Sequence, residues 1–205
     1  MKLYFSPGAC SQAAHIALNE AGASFTSEKV DLKNKVTASG ADFRKINPYG
    51  YVPAVELADG RTLSEGVAIL QYIADQYPTA SLAPAHGHWD RYRLQAYLTL
   101  INSELHKTIG GLFAPGLSDE QKAAIVAKAD ARLQVLSADL GDRPYLLGAQ
   151  FSVADAYLFV VFGWFNHFKI DLGRWPVIAA HYARVAARPA VQATLAAEFG
   201  APKAS

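Results

Sequence analysis

Cysteine is almost absent from this sequence, and further scarcities restrict what the chain can be. Cys10 is the single cysteine among 205 residues, so no disulfide forms within the chain, which fits a reducing compartment. The net charge is only +1, which gives no electrostatic reason to expect nucleic acid or an anionic membrane as a partner. No apolar run approaches the ~18 residues of a membrane span, and the first residues lack the pattern of a secretory signal. These absences predict a cytoplasmic protein.

Apolar residues, in contrast, are plentiful, and at 51% of the chain they suffice for a packed core. The first 77 residues alternate between strand and helix signals, in the order strand, helix, strand, short helix, hairpin and helix. This order predicts a mixed sheet with helices packed against it. The predicted elements are Lys2–Phe5, Cys10–Ala21, Phe25–Val30, Ala41–Ile46, Ala54–Leu57 with Arg61–Leu63, and Glu65–Tyr77.

After Tyr77 the signals become helical only. Proline and glycine interrupt residues 78–88, which predicts a linker. Beyond it apolar residues recur at helical spacing, as at Leu94, Leu98 and Ile101. We therefore expect a small α/β domain over residues 1–77 and an all-helical domain over residues 89–205.

Cys10 stands where the first predicted helix begins, directly after the turn that starts at Ser6. A helix N-terminus offers unpaired backbone N–H groups and the positive end of the macrodipole, and both favour a thiolate. On this interpretation the pKa of Cys10 is lowered and its thiol is reactive. The alternative is a small core residue, because Cys10 shares a helical stripe with Ala14 and Ala17.

Two later segments suit the binding of a small peptide. Pro53 enters a predicted strand, and a cis bond there turns the backbone groups of Val52 outward, where they pair with an extended peptide. Ser64 is a candidate N-cap for the next helix, whose first N–H groups hold a carboxylate, while Glu65 suits an ammonium group. The plainer alternatives are a trans proline and an ordinary acidic residue in a first helical turn.

Taken in order, these segments resemble the glutathione transferases, and specifically their bacterial beta class. The resemblance covers essentially the whole chain. It implies a thioredoxin-like N-terminal domain of βαβ–α–ββα order and an all-α C-terminal domain that lines the second-substrate site. It rests on Ser6 through Ser11, Asn47-Pro48 through Val52-Pro53-Ala54, Ser64 through Ile69, Glu104-Leu105-His106-Lys107, and Ser152 through Tyr157.

The resemblance also implies where glutathione binds as co-substrate. Cys10 faces the glutathione sulfur, with Ser11 beside it as a hydroxyl donor. Val52 pairs with the cysteinyl backbone next to a cis-Pro53. The remaining contacts in this domain are Glu65 and Gly66 at the γ-glutamyl end, Lys35 at the glycyl carboxylate, and Tyr51 in the loop before Val52. No metal is expected, because the histidines form no ligand cluster.

On the long helix after the linker, the resemblance places His106 close to the thiol. Thr99, Ser103, His106 and Lys107 share one helix face that differs from the apolar stripe. The resemblance implies that Thr99 and Ser103 are offered to the neighbouring subunit's site, so that a homodimer forms the active sites, with Glu104 and Lys107 completing the predicted glutathione contacts. The residues alone leave a solvated helix face as the alternative.

Ser152 and Asp155 are predicted to stabilise a helix start rather than to act in chemistry. An acidic residue three positions after a serine bonds back to the backbone of the cap, as in a capping box. The apolar residues that follow, including Tyr157 and Phe159, predict a central helix.

The leading functional hypothesis is a glutathione transferase whose bound thiolate attacks an electrophilic, largely apolar substrate. Two roles stay open for Cys10: a hydrogen bond to the glutathione sulfur, or a mixed disulfide and hence thiol–disulfide exchange or peroxide reduction. A two-cysteine mechanism is disfavoured, because Ala13 stands where a Cys-x-x-Cys motif has its second cysteine. The alternative function is a non-catalytic binder of apolar ligands on the same scaffold, with Trp164, Phe165 and Phe168 as candidate lining residues.

Overall fold

A five-stranded mixed sheet organises the N-terminal part of the chain in the computed structural model, which describes residues 1–200. The central strand β1 runs parallel to β2, with Lys2 opposite Thr26, and antiparallel to β4, with Lys2 opposite Glu56. The order across the sheet is β3-β2-β1-β4-β5, so the predicted mixed sheet is confirmed. The strands are β1 (Lys2–Phe5), β2 (Thr26–Asp31), β3 (Val36–Thr37), β4 (Ala54–Glu56) and β5 (Thr62–Ser64).

Strand β3 is absent from the sequence prediction, because two residues are too short to show an alternating pattern. The predicted short helix at residues 41–46 is a single 3₁₀ turn, Phe43–Lys45. Its Phe43 is wholly buried and packs 5.7 Å, centroid to centroid, from the ring of Tyr4. This contact anchors the loop that leads to Val52.

Helices α1 (Ser11–Glu20) and α2 (Gly66–Gln76) pack against each other, and α1 also contacts β1. The contact surface of α1 is built from small residues, with Ala13, Ala14 and Ala17 nearly or fully buried. Small side chains allow close approach of the helix to its neighbours, which holds the start of α1 firmly against the sheet.

The C-terminal helix α8 (Pro189–Phe199) joins the sheet-containing unit rather than the helical one. The described residues divide into two compact units, one formed by residues 1–83 with residues 188–200, and the other by Pro84–Ala187. The sequence prediction assigned α8 to the helical domain, since helical spacing does not reveal the partner of an apolar face. Arg188 holds Glu20 through two hydrogen bonds of 2.5 and 2.8 Å, and Asn19 donates to Thr194 at 2.8 Å.

The second unit is helical within residues 84–187. Its central helix is α6, whose residues from Val153 to Phe162 are all buried. A capping box opens α5, where Ser118 and Gln121 each accept from the other's backbone N–H at 3.2 and 2.8 Å. The elements are α3 (Trp89–Leu100), a π-helical segment (Ile101–His106), α4 (Lys107–Gly110), α5 (Asp119–Leu140), α6 (Val153–His167) and α7 (Pro176–Ala186).

The capping interaction predicted for Asp155 is present and extends further than expected. One carboxylate oxygen accepts from the N–H and the hydroxyl of Ser152 at 2.9 and 2.7 Å. The other accepts from the N–H of Leu146 and from Nε2 of His181, both at 2.8 Å. Asp155 thus ties the loop before α6 to α7 from a fully buried position.

The part of the chain that the structure describes holds no helix that is both long and apolar enough to cross a membrane.

Candidate active site

The loop from Ser6 to Cys10 joins β1 to α1 and is closed by the side chain of Ser11. The Ser11 hydroxyl accepts from the backbone N–H of Ser6 at 3.1 Å and donates to the carbonyl of Ser6 at 3.3 Å. Its side chain is fully buried in these contacts. Ser11 therefore shapes the loop before Cys10, and its predicted donation to a substrate sulfur stays a prediction.

Cys10 occupies the N-cap position of α1, and its thiol donates to the carbonyl oxygen of Val52 at 3.2 Å. Burial raises the pKa of the Cys10 thiol to about 11, an effect that the backbone N–H groups of Cys10 and Ser11 offset only in part. The prediction of a lowered pKa is therefore wrong. The sequence shows a helix start but not how tightly the surrounding residues exclude water from the sulfur.

The peptide bond between Val52 and Pro53 is cis, as the family resemblance implies. The carbonyl of Val52 is not free, since it accepts the Cys10 thiol, whereas its N–H has no hydrogen-bond partner within residues 1–200. The side-chain amide of Asn47 donates to the carbonyl of Tyr51 at 2.7 Å and fixes the loop before Val52. One backbone donor next to the thiol is thus available to a ligand.

Glu65 connects β5 to α2 in a conformation that non-glycine residues rarely adopt, with φ +68° and ψ 114°. Its side chain is exposed, and Ser64 belongs to β5, so the prediction that Ser64 caps the helix is wrong. Gly66 begins α2, and a Cβ there would lie 3.8 Å from Cγ of Pro53. Backbone strain of this kind is concentrated at functional sites.

Cys10, Val52-Pro53 and Glu65-Gly66 therefore meet at one place in the first unit. Cys10 bonds to Val52, Pro53 adjoins Gly66, and the charge of Glu65 contributes to raising the pKa of the Cys10 thiol. An exposed carboxylate, a helix N-terminus and an unpaired backbone N–H lie beside a sulfur.

Lys35 lies against the loop before Val52. Its backbone adopts φ +58°, and Nζ donates to the carbonyl of Gly50 at 2.9 Å. The same ammonium lies 5.3 Å from the ring centroid of Tyr51, a side chain that is 66% exposed. Lys35 and Tyr51 are thus neighbours, as two residues that bind the same ligand must be. The ammonium of Lys35 already has a hydrogen-bond acceptor in Gly50.

His106 ends the π-helical segment of the second unit, and its partly buried ring packs against α6. Nδ1 lies 2.6 Å from the hydroxyl of Tyr157, and the ring packs edge-on against Trp164 at 4.8 Å between centroids. Burial, with a smaller contribution from the charge of Lys107, lowers the pKa of His106 to about 4. His106 is therefore a neutral imidazole at pH 7.

The prediction placed four side chains on one helix face, but their exposure differs. The side chain of His106 is partly buried, whereas solvent reaches those of Thr99, Ser103 and Lys107. The Ser103 hydroxyl donates to the carbonyl of Thr99 at 2.8 Å. The carboxylate of Glu104 accepts from Nε of Arg132 at 2.9 Å. Glu104 thus has a protein partner, while Thr99 and Lys107 present free surfaces.

Comparison with known proteins identifies the fold. Residues 7–76 match the model of the glutathione S-transferase N-terminal domain, and residues 119–184 match that of the C-terminal domain. The glutathione S-transferase GstA of Escherichia coli O157:H7 is 43% identical over 97% of this chain and 98% of that protein. The chain belongs to the glutathione S-transferase family.

Solved structures place the transferase in the bacterial beta class. A ternary complex of BphK, a bacterial glutathione transferase, is 55% identical with a TM-score of 0.93, covering 97% of this chain and 99% of that one. The beta-class enzyme of Sphingomonas chungbukensis is 49% identical with a TM-score of 0.92, covering 98% and 100%. A sphingomonad transferase complexed with glutathione is 50% identical with a TM-score of 0.92, covering 97% and 98%.

Trp164 and Phe168, two of the predicted lining residues, belong to an aromatic cluster whose other members, Phe113 and His167, sequence analysis did not single out. Phe113, half exposed, packs against Trp164, against Phe168 at 4.8 Å and in parallel with His167 at 5.5 Å. Phe113 could have been noticed as an aromatic residue that follows Gly110-Gly111, where the helix ends. Phe165, in contrast, is fully buried core, so it does not line a site.

Proposed function

We propose that this transferase conjugates the thiol of glutathione to an electrophilic, largely apolar substrate in the cytoplasm, working as a homodimer. The observation that carries the proposal is the meeting of the Cys10 thiol, the Val52 N–H and the strained start of α2 at Glu65. These three groups lie together and suit the three parts of glutathione: its thiol, its peptide backbone and its zwitterionic γ-glutamyl end. The glutathione complex of the similar sphingomonad enzyme supports the same ligand.

Each end of glutathione finds a partner of suitable chemistry. The Val52 N–H suits the cysteinyl carbonyl, in the manner of an added strand. Glu65 suits the γ-glutamyl ammonium, and the N-terminus of α2 at Gly66 suits the carboxylate beside it. Lys35 suits the glycyl carboxylate, with Tyr51 beside it.

The high pKa of Cys10 favours a hydrogen-bonding role over nucleophilic attack. A thiol that stays protonated at pH 7 stabilises the glutathione thiolate by turning its single hydrogen from the Val52 carbonyl to that sulfur, whereas thiol–disulfide exchange needs a Cys10 thiolate. In the transfer step the glutathione sulfur forms a bond to the electrophilic carbon as the leaving group departs with its electron pair. The proton of the glutathione thiol goes to water.

The test compares Cys10→Ala and Cys10→Ser with the unmodified enzyme, using a conjugation acceptor and a glutathione mixed disulfide. Loss of a hydrogen bond to a charged group costs about 1.5–3 kcal/mol, so Cys10→Ala should lose about tenfold to a hundredfold in conjugation kcat/KM. Cys10→Ser should recover much of it. Retained conjugation with lost disulfide reduction in Cys10→Ala would assign Cys10 to exchange, and glutathione binding without either activity would favour the binder.

Dimer-dependent sites are tested separately. The exposed side chains of Thr99 and Ser103 are the surface proposed to face a neighbouring subunit. Mixing Cys10→Ala subunits with Thr99→Arg subunits should restore activity above that of either variant alone if one subunit completes the other's site. Sedimentation of a monomer with full activity would contradict this part of the proposal.

A further inference from the structure

We propose that Lys35 is a positioning residue: by holding the carbonyl of Gly50, it keeps the Val52 N–H in place for the backbone of a bound peptide. The use of that N–H rests on the proposed function. The inference goes beyond the expected contact of Lys35 with a glycyl carboxylate, because it gives the side chain a task that needs no carboxylate. All the residues concerned belong to the first compact unit.

The backbone of Lys35 has a conformation that favours glycine, with φ +58°. Its N–H donates to the carbonyl of Asp31 at 2.8 Å, and its own carbonyl accepts from the N–H of Phe43 at 2.8 Å. The ring of Phe43 is fully buried, so the turn at Lys35 is fixed on both sides. A side chain kept at such a position, where glycine would be less strained, indicates a use for that side chain.

The side chain of Lys35 extends from this turn to the loop formed by residues 47–52. Nζ donates to the carbonyl of Gly50 at 2.9 Å and lies 5.3 Å from the ring centroid of Tyr51. The carbon chain also packs closely, since Cδ and Cε lie 3.2 and 3.4 Å from the place that a Cβ of Gly50 would take. Gly50, itself at φ +67°, thus leaves the room that the lysine fills.

The carbonyl of Gly50 depends on this lysine. Gly50 is buried, and within residues 1–200 its carbonyl accepts from Lys35 alone. A buried carbonyl without a donor costs free energy, so a loop that lacks the ammonium shifts until water reaches the oxygen. Val52 follows two residues later, and a shift at Gly50 therefore displaces its N–H.

The bond to Gly50 leaves the ammonium able to bind a ligand as well. A lysine ammonium has three N–H donors, and the carbonyl of Gly50 takes one of them. A glycyl carboxylate can be bound by another donor without release of the loop. Lys35 then connects the two ends of the site: it contacts the carboxylate directly and acts on the cysteinyl backbone through Gly50 and Val52.

The first test measures by calorimetry the dissociation constants of glutathione and of its analogue with an amide in place of the glycyl carboxylate. Lys35→Met removes the ammonium and keeps a side chain of similar length. If the binding-competent fraction of the loop falls to about a tenth, the apparent dissociation constant of the amide rises about tenfold. Weaker glutathione binding with unchanged binding of the amide would overturn the proposal, because contact with the carboxylate would then be the whole role of Lys35.

Lys33→Met is the matched control, since it removes the same charge from the same turn at an exposed position. It should leave the affinity for the amide unchanged, and an equal loss in this variant would contradict the role of the bond to Gly50. Lys35→Arg keeps a donor at the end of a long side chain and should recover most of the affinity. In conjugation assays Lys35→Met should raise KM for glutathione and leave kcat nearly unchanged.

The second test needs no ligand and follows amide hydrogen exchange in the free enzyme by NMR. The N–H of Gly50 donates to the carbonyl of Asn47 at 2.8 Å, and it should exchange about tenfold faster in Lys35→Met than in Lys33→Met. The N–H of Leu3, in β1, should exchange at the same rate in both variants. Unchanged exchange at Gly50, or equal acceleration at Leu3, would overturn the inference.

The two tests separate this inference from the proposed function. If the unmodified enzyme binds no glutathione, the proposed function is contradicted. The exchange rate at Gly50 then still decides whether Lys35 holds the loop.

Discussion

The carboxylate of Glu198 accepts a hydrogen bond from the backbone N–H of Gly8 at 3.0 Å, which joins the end of α8 to the loop that carries Cys10. The same carboxylate accepts from Nε2 of Gln12 at 2.9 Å and lies 3.0 Å from Nδ1 of His15. The Glu198 side chain is fully buried. One acidic group near the C-terminus therefore anchors both the loop and the first turns of α1.

Replacing Glu198 should destabilise the first unit. Glu198→Ala leaves the buried polar groups of Gly8, Gln12 and His15 without this acceptor, and we expect a loss of about 3–5 kcal/mol in the free energy of unfolding. Glu198→Gln keeps one acceptor oxygen and should lose less. Urea denaturation measures the stability of both variants, and Glu120→Gln, at an exposed position, is the control. An unchanged urea midpoint for Glu198→Ala would contradict the anchoring role.

The Cys10 thiol should remain protonated in the free enzyme throughout the neutral range. Because burial raises its pKa to about 11, alkylation at pH 7 should be slow and should accelerate steeply only above pH 9. Cys10 is the single cysteine, so thiolate absorbance against pH reports on this residue alone. Cys10→Ala supplies the baseline, and a thiolate step below pH 8 would show that the thiol is better solvated than its contacts indicate.

His106 should make stability fall in weakly acidic solution. Its folded pKa of about 4 lies below the ordinary value of about 6.5, so between these pH values the unfolded chain binds a proton that the folded protein does not. Stability therefore decreases as pH falls from 6.5 to 4, by at most about 3 kcal/mol, and this contribution is constant below pH 4. We expect His106→Asn to flatten the pH dependence, measured by urea denaturation at several pH values; parallel curves would refute the assignment.

Asp155→Ala should lower the melting temperature and leave the kinetics of the folded fraction near normal. Four hydrogen bonds, including one from His181, end on this buried carboxylate, so its removal should cost about 3–5 kcal/mol. Asp171→Asn, at an exposed 3₁₀ turn, is the control. Lost turnover at an unchanged melting temperature would mean that Asp155 takes part in chemistry.

The order of elements was predictable because each long element has its own periodicity. Strand β1 was predicted with its exact bounds, and α1, β2 and α2 begin and end within one residue of the prediction. Strand β3 was not predictable, since its two residues depend on pairing with β2. The placement of α8 depends on the polar contacts of Glu198, a residue distant in sequence from its partners.

The site was predictable in its residues and less so in its electrostatics. Cys10, Val52 and Glu65 were found because local motifs mark helix starts and a strand entry. The ionisation of Cys10 was not predictable, because the sequence does not show how far the thiol is buried. The surroundings of His106 were not predictable either, because Tyr157 and Trp164 lie more than fifty positions away in the sequence. The contacts of Ser11 were not predictable, since nothing in the sequence shows a hydroxyl turned back to its own loop.

The attachment of α8 to the sheet-containing unit has a consequence for synthesis. A ribosome that has translated residues 1–187 has made every residue of the helical unit, yet the unit it began first still lacks its last helix. The nascent loop around Cys10 lacks its acceptor until residue 198 has been added. A stop codon at or before position 198 would therefore remove the acceptor that holds Gly8, near the beginning of the polypeptide.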